Sequence, residues 1–170
     1  AFYKTKITSV NTGGATSVDG YAFANCSDLI YAELPEVKVV GENGSNYLFE
    51  SCGKLVSVKI PSLVKANDRY MFSKCVSLRE IYMGASDDDL TLGLYTYSGC
   101  DMTKIKLFVP EELIEFYRTK SPGGIDSSKI YPEGEKMGEE LVNGFNIGEH
   151  IVGYTGDNDY TLITSNVDHS

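Results

Sequence analysis

A repeated order of tyrosine, aromatic residue and cysteine constrains the fold of this chain more than any other feature of its sequence. In four stretches a tyrosine stands five residues before a cysteine and an aromatic residue stands three before it. The cysteines Cys26, Cys52, Cys75 and Cys100 are separated by 26, 23 and 25 residues. Self-similarity at a period of about 20 to 50 residues is the signature of a repeat protein. The spacing therefore predicts a coil of stacked units.

Each cysteine is followed by apolar residues at fixed offsets. In the first three copies a leucine comes three residues after the cysteine, and alternating apolar residues then lead to Pro35, Pro61 or Gly84. The fourth copy keeps this alternation with one residue deleted, at Ile105 and Leu107. Alternation is typical of a strand with one buried face, and proline or glycine ends strand pairing. Each unit is therefore predicted to contribute one short strand.

Stacked units of this kind predict a short α/β solenoid. Strands about 4.8 Å apart would form a parallel sheet on one face of the coil. Equivalent side chains would then form ladders along the coil, and we expect the tyrosine, aromatic and cysteine ladders to lie inside it, on an irregular, aromatic convex side. Five leucine-rich units, the first incomplete, are predicted to cover residues 1–110.

The segment after the last unit predicts a cap for the end of the coil. Pro110 opens a helical pattern in which Leu113, Phe116 and Tyr117 share one face. An amphipathic helix followed by the KIYP strand is suited to cover an exposed solenoid end. We therefore assign residues 111–134 to a C-terminal cap of helix and strand.

Residues 135–170 form an acidic tail. They hold seven acidic residues and one lysine, and thus a charge of −6 out of the chain's −9. Strand-like segments flank Gly-Asp-Asn-Asp at 156–159, which predicts a β-hairpin. The chain starts at Ala1 without a signal-like apolar core, so we expect it to be a processed piece of a longer protein.

The four cysteines are interpreted as buried thiols. Zinc sites usually carry close pairs of cysteine or histidine, whereas each cysteine here stands alone in its unit. Units stacked about 4.8 Å apart would bring the Cα atoms of successive cysteines within disulfide range. Parallel side chains, however, rarely adopt the required dihedral angle. A buried free cysteine instead packs as a small hydrophobic residue. Disulfides stay open as the alternative, and neither a metal nor a cofactor is expected.

Composition and motifs argue against several classes of function. A net charge of −9 and a pI near 4.7 disfavour a nucleic-acid surface, which needs concentrated lysine and arginine. No apolar run approaches the roughly 20 residues that span a bilayer, so we expect no membrane insertion in this segment. The sequence also lacks the nucleophile-elbow, phosphate-loop, dinucleotide and zinc-protease motifs. We therefore expect no catalytic residue and no enzyme activity.

The repeat YAFxxCxxLxxIxIP and the closing segment LFVPxxxxxxYRxx…KIYP resemble the BspA-like, or Treponema-type, leucine-rich repeats of bacterial surface proteins. The resemblance covers about residues 1–134. It implies a secreted or cell-surface protein of anaerobic oral or gut bacteria. The implied roles are adhesion to host matrix proteins, epithelial cells or other bacteria, and the family offers no catalytic residues.

Function is then expected to come from an exposed surface of a monomeric chain. Mixed charge with tyrosine suits a protein or glycan contact surface. The candidate binding residues on the predicted concave sheet face are Tyr31, Glu33, Lys59, Arg79, Tyr82 and Lys104. Inserted links at 42–46 and 87–89 form a second candidate surface. The alternative function is a structural spacer that projects another domain and binds no ligand of its own.

Overall fold

The chain folds into a coil whose main element is a six-stranded parallel sheet. The computed structural model describes residues 2–42, 46–86, 90, 92–93 and 95–133, together with four short strands between 141 and 161. The strands of the long sheet, in their spatial order, are β1 (Ser9–Asn11), β3 (Tyr31–Glu33), β5 (Ser57–Ile60), β7 (Glu80–Met83), β8 (Lys106–Val109) and β9 (Ile130–Pro132). Every neighbouring pair is parallel, and the spatial order follows the chain. The predicted short α/β solenoid is confirmed.

The coil also contains a second sheet, which the sequence did not predict. It has three parallel strands, β2 (Ser17–Val18), β4 (Val39–Val40) and β6 (Lys65–Ala66). A strand of two residues is too short to show an alternating pattern, so its pairing could not be predicted. The side of the coil away from the long sheet is therefore more regular than expected.

The strand of the fourth unit lies in a different register from the one predicted. Leu107 pairs with Ile81, and Phe108 pairs with Tyr82. The alignment therefore needs one inserted residue after Cys100, and the predicted deletion was wrong. Because side chains alternate with a period of two, a shift of two residues leaves the same face buried. The apolar pattern alone could not distinguish the two alignments.

Equivalent side chains from successive units form ladders in the core. Along the long sheet the inward side chains are in register and fully buried: Ala32, Val58, Ile81, Leu107 and Ile130. On the opposite side, Phe23, Phe49, Phe72 and Tyr97 stack with ring centroids 5.5 to 5.9 Å apart. These aromatic rings fill the wide side of the coil, so the aromatic position three residues before each cysteine lies inside as predicted.

The turns that carry Cys26, Cys52 and Cys75 are held by hydrogen bonds to the following unit. The residue just before the cysteine has a left-handed backbone, with a positive φ at Asn25, Ser51, Lys74 and Gly99. In this conformation the N–H of Lys74, for example, donates to the carbonyl of Ser98 at 2.7 Å. The left-handed conformation is unfavourable for residues other than glycine. The inter-unit bonds offset that cost.

The cysteines hold successive units together through their thiols. Each Sγ donates to a backbone carbonyl of the preceding unit at 3.0 to 3.1 Å. The four bonds run from Cys26 to Phe2, Cys52 to Phe23, Cys75 to Phe49 and Cys100 to Phe72. All four cysteines are free, three of them buried and Cys100 half-buried. The interpretation as buried thiols is confirmed for Cys26, Cys52 and Cys75 but not for the half-buried Cys100. The thiols also act as donors and do not serve only as small hydrophobic groups.

Helical segments cover the C-terminal end of the repeats. A 3₁₀ turn at Glu111–Leu113 leads into α1 (Ile114–Lys120), which ends at Ser121 in a left-handed conformation. Tyr117 is buried, and its hydroxyl donates to the carbonyl of Ala85. Two further 3₁₀ turns, Pro122–Gly124 and Ser127–Lys129, lead into β9, which pairs with β8.

Two short antiparallel strand pairs follow the cap. β10 (Leu141–Val142) pairs with β11 (Phe145–Asn146), and β12 (Gly153–Tyr154) pairs with β13 (Tyr160–Thr161). The predicted turn at 156–159 lies outside the described residues. The assignment of 111–134 and 135–170 to separate regions stays a prediction.

Candidate functional site

The six predicted binding residues lie on or beside one face of the long sheet. We call the side of this sheet that faces away from the core the sheet face. Glu33, Lys59 and Tyr82 are direct neighbours in β3, β5 and β7. Tyr31 lies two residues before Glu33 in β3, so both side chains project from the same face. Arg79 comes directly before β7, and Lys104 lies two residues before β8.

Polar contacts connect these side chains to one another. The hydroxyl of Tyr31 donates to Oε2 of Glu33 at 3.2 Å. Nζ of Lys59 lies 5.1 Å from the ring centroid of Tyr82, which is within cation–π range. The hydroxyl of Tyr82 donates to Oε2 of Glu80 at 3.4 Å. Burial, with a nearby carboxylate, raises the pKa of both tyrosines above the ordinary value of 10.0.

The predicted residues differ in what they can offer to a partner. Tyr31 and Arg79 are each 6% exposed and Tyr82 is 9% exposed, whereas Glu33, Lys59 and Lys104 are half-buried. Nη1 of Arg79 donates to the carbonyl of Leu78 at 2.9 Å, which holds the turn before β7. The accessible chemistry of the sheet face therefore lies in a carboxylate and amino groups, with the aromatic rings beneath them.

Two aromatic residues extend this face and were not predicted. Phe108 stacks on Tyr82 with centroids 5.3 Å apart, and Tyr131 lies 5.9 Å from Phe108. Nζ of Lys106 lies 5.4 Å from the ring centroid of Tyr131. Phe108 was missed because the fourth unit was aligned with a deletion. The signal that could have found it is the second alignment, in which Phe108 falls opposite Tyr82.

The tyrosines five residues before each cysteine form a separate surface feature, the tyrosine ladder, consisting of Tyr21, Tyr47, Tyr70 and Tyr95. Successive ring centroids are 5.3, 4.8 and 5.4 Å apart. Tyr21 is 47% exposed and Tyr95 is 55% exposed, while the middle two are half-buried. The expectation that this ladder lies inside the coil was therefore wrong. The rings stack or tilt against one another at the surface. They lie outside the phenylalanine ladder, the name we give to the buried stack of Phe23, Phe49, Phe72 and Tyr97.

Other candidate features lie partly or wholly outside the described residues. Of the two inserted links, 43–45 and 87–89 are not among them. Within the described part of the chain, no group of three or more His, Cys, Asp or Glu side chains is placed to hold a metal ion. In that same part, no helix is long and apolar enough to cross a membrane.

A family comparison now identifies the repeats. A model of the BspA type leucine rich repeat region matches residues 1–118 in six copies. The chain belongs to the BspA-type leucine-rich repeat family. Proteins of this family are typically surface modules for protein interaction, are generally associated with bacterial surfaces, and are generally non-catalytic. No curated protein matches this BspA-type chain.

Proposed function

We propose that this BspA-type chain is an extracellular binding module of a bacterial surface or secreted protein. It would contact a protein or glycan on a host or on another bacterium, in the manner of an adhesin and without catalysis. The observation that carries the proposal is the family match over residues 1–118, since such repeats typically serve protein interaction. The regular hydrogen bonding between units supports it, because a preorganised surface loses little entropy on binding.

We place the contact on the sheet face, at those charged residues that are half-buried and not fully buried. Glu33 and Lys59 are adjacent in register, and Lys104 lies near the same face. Nζ of Lys59 lies over the ring of Tyr82, and Glu33 accepts a hydrogen bond from Tyr31. Nζ of Lys104 lies 4.0 Å from a carboxylate oxygen of Asp101. A partner would therefore meet charged groups that are already positioned. Such groups act mainly on specificity and on the rate of association. A partner with mixed charge of its own would fit this surface.

Binding to an array of host matrix proteins and glycans at physiological salt tests this proposal. The labelled chain should give a saturable signal that is lost in the double variant Lys59→Glu, Lys104→Glu. The matched control is Lys38→Glu, Lys65→Glu, which makes the same change in charge at exposed lysines beside the second sheet. Circular dichroism would check that both variants stay folded. Equal loss of signal in both double variants would count against a contact on the sheet face.

The burial of Tyr31, Arg79 and Tyr82 favours a second candidate function, the structural spacer. A spacer needs a stiff stack of units and no accessible recognition group. It predicts no saturable ligand on the array, and cellular function that survives the sheet-face variant but not removal of one unit. A folded chain that binds nothing on the array would favour this function.

A further inference from the structure

The tyrosine ladder places oxidisable rings in close contact. The closest pair is Tyr47 and Tyr70, with centroids 4.8 Å apart and ring planes 13° from parallel. One buried carboxylate fixes both backbones, because the N–H groups of Tyr47 and Tyr70 donate to Oδ1 of Asp68 at 2.8 and 2.9 Å. The backbone N–H of Leu48 donates to the second oxygen of Asp68 at 2.7 Å. The two phenols are therefore held side by side by the fold.

Most of the sulfur-bearing side chains in the described part of the chain are fully buried. The sequence contains no tryptophan. The fully buried sulfur-bearing side chains are Cys26, Cys52, Cys75, Met71 and Met83. Cys100 and Met102 are half-buried, and Met137 lies outside the described residues. Burial raises the pKa of the Cys100 thiol to about 11, which suppresses the reactive thiolate. An oxidant in solution readily reaches the half-exposed ends of the tyrosine ladder, Tyr21 and Tyr95, and Tyr47 and Tyr70 between them are half-buried.

We propose that the tyrosine ladder is an oxidative cross-linking site, at which Tyr47 and Tyr70 couple to form dityrosine. A one-electron oxidant removes one electron from each phenol, and each phenol releases its proton to solvent. The two phenoxyl radicals join through a bond between their ortho carbons, and the two ortho hydrogens move to the oxygens to restore both phenols. The chain loses two hydrogen atoms in total. The oxidant is of the peroxide class and is reduced by two electrons, hydrogen peroxide to two waters or persulfate to two sulfates.

Such a bond would join successive units covalently. Tyr47 and Tyr70 are 23 residues apart, so the cross-link closes a loop of one unit. Closing a loop restricts the unfolded chain, and the cross-linked protein should resist unfolding more than the free protein. Unlike a disulfide, a carbon–carbon bond also survives reducing conditions.

The test oxidises the dilute, folded chain with photo-excited ruthenium tris-bipyridyl and persulfate. Trypsin places the two residues in different peptides, 39–54 and 70–74, because it cuts after Lys38, Lys54, Arg69 and Lys74. We expect these peptides to be joined, with the loss of two hydrogen atoms, in a protein that keeps its monomeric mass. The characteristic dityrosine fluorescence should rise in parallel.

Two variants make the result specific. Tyr70→Phe keeps the stacked ring but removes the phenol, so the joined peptides should disappear while circular dichroism and thermal unfolding stay unchanged. Tyr131→Phe is the matched control, because the ring of Tyr131 packs near Phe108 and lies outside the tyrosine ladder. Tyr131→Phe should leave the yield of the joined peptides unchanged. Equal yield in urea-unfolded chain, links only between separate copies, or tyrosine oxidation without any link would each overturn the proposal.

Discussion

Replacing Cys52 by alanine should destabilise the fold by about 2 kcal/mol. The thiol of Cys52 is fully buried and donates to the carbonyl of Phe23 at 3.1 Å. Losing one hydrogen bond of this kind costs about 1 kcal/mol. The void left by the sulfur adds about 1 kcal/mol, as for a cavity of methyl size. The carbonyl of Phe23 still accepts the N–H of Cys26 at 3.3 Å, so the loss should not exceed this sum by much.

Serine at the same position separates the two roles of the thiol. If Cys52 acts as a donor, Cys52→Ser restores the hydrogen bond and should cost only about 1 kcal/mol, mainly for the smaller side chain. If the thiol acts only as a small hydrophobic group, a buried hydroxyl without a partner would make serine worse than alanine. Thr5 occupies the equivalent position of the first unit, with its hydroxyl 3.6 Å from Sγ of Cys26, so the fold accommodates a hydroxyl there.

The assay is urea unfolding of the parent chain and the two variants, monitored by circular dichroism. The dependence of the unfolding free energy on urea should be the same for all three, because the surface exposed on unfolding is the same. The order of stability should be cysteine, serine, alanine. A serine variant less stable than alanine, or an alanine variant within 0.5 kcal/mol of the parent (roughly the scatter of neutral surface changes), would refute the thiol as a structural donor.

Two further predictions concern the backbone and the pH dependence. Lys74 has φ 62°, and its side chain, which is 67% exposed, forms an ion pair with Glu50 at 3.8 Å. Because such a surface pair contributes little and glycine relieves the left-handed strain, Lys74→Gly should stabilise the fold by about 0.5 to 1 kcal/mol in the same urea assay. A destabilised variant would show that the left-handed conformation carries no strain. Burial raises the pKa of the Cys52 thiol from its ordinary value of 9.0 to about 12, so the unfolded thiol ionises first as pH rises. This group's contribution is complete below pH 9 and is lost between about pH 9 and 12, at about 1.4 kcal/mol per pH unit. Between about pH 9 and 12 the free energy of unfolding should therefore fall less steeply for Cys52→Ala than for the parent chain, as measured by urea unfolding at several alkaline pH values. Identical slopes would contradict the raised pKa.

The strand positions could be predicted from the sequence, whereas the geometry of the turns could not. In a strand, alternation assigns each side chain to a face, which is why Val58 and Ile81 were placed in the core. The turn that leads to each cysteine has no simple period, so the repeat showed that Tyr47 and Phe49 recur but not that one lies outside and the other inside. A second ambiguity explains why Phe108 was not placed opposite Tyr82: a shift of two residues along a strand leaves the same face buried.

The donor role of the cysteines left a trace in the sequence. Thr5 stands where the other units have cysteine, and threonine shares a donor with cysteine but is not a close match as a hydrophobic group. A purely apolar ladder would more naturally continue with alanine or valine. The substitution therefore keeps a short side chain that can donate a hydrogen bond, as the thiol of Cys52 does to the carbonyl of Phe23.

Repetition within the chain separates positions that stacking requires from positions that it leaves free. The phenylalanine and cysteine ladders repeat because each side chain contacts its equivalent, or the backbone, in the next unit. On the sheet face, by contrast, Glu33, Lys59 and Tyr82 occupy equivalent positions and differ, so stacking does not dictate them and recognition can use them. The tyrosine ladder also repeats with each ring in contact with its equivalent in the next unit, but unlike the phenylalanine and cysteine ladders its ends are half-exposed. Phenylalanine would stack equally well there, and no hydrogen bond of these hydroxyls is needed for the ladder. At such partly exposed positions the tyrosine hydroxyl keeps its contact with water while the ring stacks. Oxidation of the Tyr47 and Tyr70 pair tests whether the adjacent phenols also react with each other.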